Sequence, residues 1–242
     1  MKKGQIILTT ALTLGLAGTT ASIANNYHVA EAAVINNSQQ TLHFTKQQKH
    51  AINQAFLQWA SQRAAMGKMA VSDYYFDHSP VNDGCLWYAQ TPDGDVLVRN
   101  ASDEYSSHNY KIRAIGGLVF YTDKNGNVGQ CDDIAEETDD GANYSENEID
   151  IEKPVDKYLL ADNGIIYECK LDGATAAPDS GFTIKGGTSD DAEKWIISND
   201  QAAQNEYRQL INKYTGNTVN TPINYSNTNV QTNKHNDDED DE

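Results

Sequence analysis

The chain has 242 residues, with 35 Asp and Glu against 18 Lys and Arg and a formal net charge of -17. A field of that sign repels nucleic acid, anionic lipid and wall polyanions, so no nucleic-acid partner is expected. The length suits one ordinary domain between polar ends, with enough core to fold alone and a monomer as the expected state.

Lys2 and Lys3 precede a largely apolar run over residues 6–21, and a polar stretch then leads to Ala30, Glu31, Ala32 and Ala33. That is the order of a secretory signal peptide ending in an A-x-A-like site, and the apolar run is too short and too rich in Thr and Gly for a membrane span. Residues 1–32 are expected to be removed, leaving Ala33 or Val34 first. Two Lys and one Glu go with them, a net +1, so the charge moves from -17 to -18. No Cys lies near the cleavage point to take a lipid, and no second apolar run follows. The expectation is a secreted protein, extracellular or loosely held at the cell wall, without a membrane anchor.

Residues 33–44 are polar and unpatterned and read as a leader. From there Ile52, Ala55, Phe56, Trp59, Ala60, Arg63 and Met66 recur at helical spacing, with Thr45 as N-cap and Gly67 as the stop. Extended segments follow at 69–76, 85–89 and 96–99, the last two joined by a turn in which Pro92 presets φ and Gly94 supplies positive φ. Residues 110–121, broken at Asn125 and Gly126, suggest a second hairpin, and 157–161 with 165–171 around Asn163 and Gly164 a third. Between these, ten of the 21 residues from 132 to 152 are acidic, so that segment reads as a mobile solvated loop. A last helix, capped by Asn199 or Asp200, carries the stripe Ala203, Tyr207, Leu210, Ile211 and Tyr214 and stops at Gly216. Residues 217–242, Asn- and Thr-rich and ending HNDDEDDE, read as a disordered tail. The sum is an α+β fold over 45–216: a mainly antiparallel twisted sheet with the N-terminal and the C-terminal helix packed on one face, each burying its apolar stripe.

Four blocks, GKMAVSDYYFDHS, LWYAQTPDGDV, IRAIGGLVFYTDKNGNVG and KYLLADNGIIYE, resemble an uncharacterised family of secreted proteins and lipoproteins of lactobacilli and their relatives, over about residues 45–215. The resemblance implies a Gram-positive extracellular protein and brings no catalytic residue with it.

Asp73, Asp77 and His78 form the densest polar cluster. On a strand the two Asp would share one face and His78 the other, so spacing alone sets up no acid-base pair. Tyr74, Tyr75, Phe76 and Trp87 offer large rings, with polar edges on the tyrosines and the indole, as a recognition surface for sugar or peptide does, though the same rings equally suit a core. Cys85, with Leu86, Trp87 and Tyr88 after it, faintly resembles the Cys-Thr-Trp-Tyr nucleophile segment of secreted cysteine amidases that cut peptidoglycan. A thiolate nucleophile needs a His to lower its pKa, and His108 is the downstream partner in the domain, but the Gly-His-Val block of that family is missing. Cys85, Cys131 and Cys169 allow one disulfide and a spare thiol in three ways, or three free thiols. Asp123, Asn125 and Asn127 alternate as calcium ligands do. Val128 stands where the sharp-turn Gly is wanted and Ile134 where a bidentate Glu should close the loop, so a plain Asn-Gly turn is preferred. No cofactor is expected, with calcium the weaker alternative. The sequence therefore points to a non-catalytic binding or cell-envelope-associated module that uses Tyr74, Tyr75, Asp77, His78 and Trp87 on a cell-wall or other extracellular ligand. The alternative is a secreted cysteine-type peptidoglycan amidase or peptidase carried by Cys85 and His108.

Overall fold

The computed structural model describes residues 41–74, 76–77, 84–138, 141–185 and 194–225. The expected signal peptide, residues 33–40 of the leader, Tyr75, His78 and most of the expected tail lie outside those residues. In chain order the first elements are α1 (Lys46–Met66), β1 (Ala70–Ser72), β2 (Leu86–Thr91), β3 (Gly94–Asn100), β4 (Ile112–Tyr121) and β5 (Gly129–Gln130). They are followed by β6 (Ala135–Thr138), β7 (Gly141–Tyr144), β8 (Val155–Ala161), β9 (Ile166–Leu171), β10 (Thr183–Lys185), β11 (Ile196–Ile197) and α2 (Gln201–Thr215).

A capping box starts α1: the Gln48 amide donates to Thr45 Oγ1 at 3.2 Å, and the Thr45 amide donates to Gln48 Oε1 at 2.9 Å, a reciprocal pair that fixes the helix start. The helix stops at Gly67, yet the residue that takes the left-handed conformation is Lys68, with φ 57°. Its buried face is Ile52, Phe56, Leu57, Ala60 and Ala64. Met66, expected in that stripe, is 78% exposed, because two positions past Ala64 it falls about 200° round the helix, on the opposite side from the buried row.

The longest strand, β4, is the spine of a nine-stranded sheet whose main order is β10-β2-β3-β4-β8-β9-β11. The β2–β3 hairpin turns at Thr91 and Gly94 as expected, with Gly94 at φ 106° and Thr91 Oγ1 donating to the Gly94 carbonyl at 2.6 Å. The β8–β9 hairpin turns through Asn163 and Gly164, where the Ile165 amide donates to Asn163 Oδ1. No hairpin forms around Asn125 and Gly126. One edge of β4 is taken by β8 from Ala114 to Phe120, and the other by β3 at Ile112 and Arg113 and by β1 at Val119 to Tyr121. After the turn the chain forms β5 instead, parallel to β1. The β3–β4 and β1–β5 pairs are parallel and the other ladders antiparallel, so the sheet is mixed and the fold α+β.

The acidic segment is more than a solvated loop. Within it β6 and β7 pair antiparallel, and Ile134, Tyr144 and Ile149 are buried in the main core cluster. Charge counting overlooked these three residues, spaced through the segment as anchors.

Period-two alternation divides the core. One cluster joins Ile52, Phe56 and Ala60 of α1 and Ala203, Tyr207 and Ile211 of α2 to Val71, Ile115, Leu118, Leu160 and Ile166 of the sheet. The other takes the alternate strand positions, among them Trp87, Val119, Leu159, Tyr167 and Cys169, with Phe76, Phe182 and Trp195. Asp200 caps α2 by accepting from the Ala203 amide, and Gly216 ends it at φ 74°. The carboxamide of Gln204 extends the β9 ladder from the helix, accepting from the Ile166 amide at 2.9 Å and donating to the Ile166 carbonyl at 2.8 Å.

Candidate functional site

The residues singled out in the sequence scatter. Tyr74 is 50% exposed, Phe76 only 3%, and Trp87 0%. Trp87, expected to face a ligand, instead has its ring centroid 5.7 Å from that of Phe182, because its position in β2 points into the aromatic core. Its indole Nε1 has no hydrogen-bond partner. Cys85 is also buried in that core, whereas His108 sits in a short exposed 3-10 turn, Ser107–Asn109, with Nδ1 3.2 Å from Ser106 Oγ. No hydrogen bond joins the two among the described residues. None of Cys85, Cys131 and Cys169 is in a disulfide.

Asp123 Oδ1 accepts from the amides of Asn125 at 2.7 Å and Asn127 at 3.0 Å, and the Asn125 carboxamide donates to Glu148 Oε2 at 2.7 Å. The two amide bonds to Asp123 Oδ1 make these residues a side-chain-capped turn. Among the described residues no group of three or more His, Cys, Asp or Glu is placed to hold a metal.

Asp73 and Asp77 line one cleft of about 310 Å³ between α1 and β4, together with Lys49, Asn53 and Phe76. Gly116 and Gly117 make room for it: a Cβ on Gly116 would fall on the Asn53 carboxamide, and one on Gly117 on the Phe76 ring. Burial raises the Asp73 carboxyl above its ordinary value, and the neighbouring Asp132 raises it further, since both effects penalise the charged form. Gln54 Nε2 donates to Asp73 Oδ2 at 3.3 Å.

A larger cleft, about 560 Å³, opens beside the β2–β3 hairpin. Its walls are Tyr105 and Tyr110, and its charged groups are Asp93, Asp95, Glu104, Lys111 and Lys185. The loop leading to β4 is held over it by local bonds: Asn100 Nδ2 to the Tyr105 carbonyl at 3.1 Å, and Arg113 Nη2 to the Ser107 carbonyl at 2.9 Å. The chain matches no family model, no curated protein and no solved structure. The chemistry of this cleft must therefore be read from its own side chains. Tyr110 lies 5.5 Å from Tyr88, ring to ring, and Lys185 Nζ is 5.8 Å from the Tyr105 ring centroid. Burial, then Tyr88 and Asp95, push the Tyr110 hydroxyl up to about 12, so it stays a neutral donor. Asp93 is anchored from behind by Tyr167, whose hydroxyl donates to its Oδ2 at 2.8 Å and accepts from Asn163 Nδ2 at 2.8 Å. Part-exposed rings beside both signs of charge give the cleft apolar faces and polar groups side by side. Sequence reading missed Tyr105 and Tyr110. They lie five residues apart in one loop, and only the return of that loop onto the β2–β3 hairpin sets them beside Asp93 and Asp95.

Proposed function

We propose that this chain is an exported, non-catalytic binding module, extracellular or loosely associated with the cell wall, that holds a polar extracellular ligand in the tyrosine-lined cleft. The observation that carries the reading is the cleft itself: two tyrosine rings flanked by three carboxylates and two lysines, in about 560 Å³. Such a lining suits a wall glycopeptide, which presents sugar faces for the rings and both carboxylate and amino groups for the charges. The four-block resemblance to secreted proteins of lactobacilli and the signal-peptide pattern support export. No helix among the described residues is long and apolar enough to cross a membrane. The reading calls for no cofactor, and it takes both helices to cover one sheet face, as their shared core cluster suggests.

Co-sedimentation with purified peptidoglycan tests this. The wild-type protein should pellet with the wall and release no soluble fragments, and Tyr110→Ala should lower the bound fraction by about tenfold in affinity, the loss of one well-packed aromatic anchor. Release of wall fragments by the wild type would overturn the non-catalytic reading, and equal pelleting of both proteins would move the site elsewhere.

A further inference from the structure

A third cleft, about 150 Å³, lies between α1 and the sheet. Trp59, Phe120 and Tyr158 form its aromatic walls, and its charged groups are Arg63, Asp156 and Asp200. Two of those charges are already committed. Arg63 Nη2 lies 3.1 Å from Asp200 Oδ2, and Asp200 Oδ1 accepts from the Ala203 amide at 3.0 Å. Asp156 is not committed: its Oδ1 is buried and has no hydrogen-bond partner. Its cross-strand neighbour Lys170 directs Nζ towards Glu168 Oε1 instead, at 3.5 Å. Burial, with Glu168 adding and Lys170 opposing, raises the Asp156 carboxyl.

A buried carboxylate oxygen without a donor is costly, and native structures keep such groups rarely and for a reason. The cleft is lined by three aromatic rings, a class of group whose faces attract cations. Arg63 already demonstrates this, with its guanidinium carbon 4.9 Å over the Trp59 ring, and its charge is offset by Asp200. With Asp156 counted, the cleft keeps one uncompensated negative charge. We propose that it binds the ammonium end of a primary alkylamine, a lysine-like side chain, with an N–H directed at Asp156 Oδ1 and the methylenes laid against Trp59, Phe120 and Tyr158. A primary ammonium fits better than a quaternary one because the orphaned oxygen needs a hydrogen-bond donor. The volume suits a chain of a few carbons. This site is separate from the tyrosine-lined cleft and does not depend on it.

The chain has three Trp, and Trp87 and Trp195 are both fully buried, so Trp59 fluorescence reports on this cleft. Titrating the full chain with n-butylammonium at constant ionic strength should give a saturable change that n-butanol and tetramethylammonium do not reproduce. In Asp156→Asn, which keeps the shape and removes the charge, the affinity should fall about tenfold. An equal response in the variant, or an equal response of the wild type to n-butanol or tetramethylammonium, would overturn the proposal. The three-compound series on the wild type decides the matter alone if the variant does not fold.

Discussion

Lys157 is the buried charge on which the aromatic core closes. It is fully inaccessible to solvent, and its Nζ donates to the carbonyls of Ala177 at 3.2 Å, Pro178 at 2.7 Å and Ser180 at 2.9 Å. The Phe182 ring lies 4.8 Å away, with Tyr144 and Phe76 further out. Replacing Lys157 by Met keeps most of the volume but strands three acceptors, and should cost about 3 kcal/mol. Urea unfolding measures this directly: an unchanged midpoint would show that those carbonyls find other donors. In the strand VDKYLLA it shares a face with Val155 and Leu159, both core residues, so alternation turns it inward, but the carbonyls it serves arrive some twenty residues later and cannot be read from the strand.

Elements were legible where their signals are local. Thr45 and Asp200 as helix caps, Gly216 as a stop, and the turns at Gly94 and Gly164 all stand where the sequence places them, because each depends on residues within four positions. Partner choice is not local. That β4 would pair with β8, β3 and β1 rather than fold back at Asn125 follows from hydrophobic faces assembled from the whole chain. Nor does a sequence show which Tyr and Trp residues end up in the core. The Gly116–Gly117 pair marks such a non-local demand, since those two positions of β4 must admit Asn53 from α1 and Phe76 from the loop. Gly117→Ala would set a methyl on the Phe76 ring and should cost about 1–3 kcal/mol by overpacking. Adding Phe76→Leu should recover part of the lost melting temperature. If the double variant melts lower than either single variant, the two positions are not packed as described.

Across the whole molecule the charge balance favours acid. Burial, opposed by the Arg113 amide and Lys49, pushes the carboxyl of Asp162 up to about 6, and burial also raises Asp73 and Asp156. A carboxyl whose folded pKa exceeds its unfolded value binds its proton more tightly in the folded state, so stability rises as pH falls through the folded value and levels off below the unfolded one. The melting temperature should therefore increase from about pH 7 down to about pH 4.5 as these carboxyls gain protons and the net charge of -17 shrinks. Asp162→Asn, which retains an acceptor for the Arg113 amide, should stabilise the protein by up to about 3 kcal/mol near neutral pH, with the gain fading towards about pH 4. A gain that persists unchanged in acid would assign it to something other than proton linkage.

The ends of the main strand order have a consequence at high protein concentration. An open sheet edge templates a neighbour's strand in proportion to its run of unpaired amides and carbonyls. Here the two ends are β10 and β11, only three and two residues long. Trp195, just before β11, donates its indole N–H to the carbonyl of Gly181, just before β10, and stacks on Phe182 at 5.4 Å, so the approaches to both ends are tied to each other. Among the described residues neither of these two end strands presents a ladder long enough to template a cross-β stack by itself.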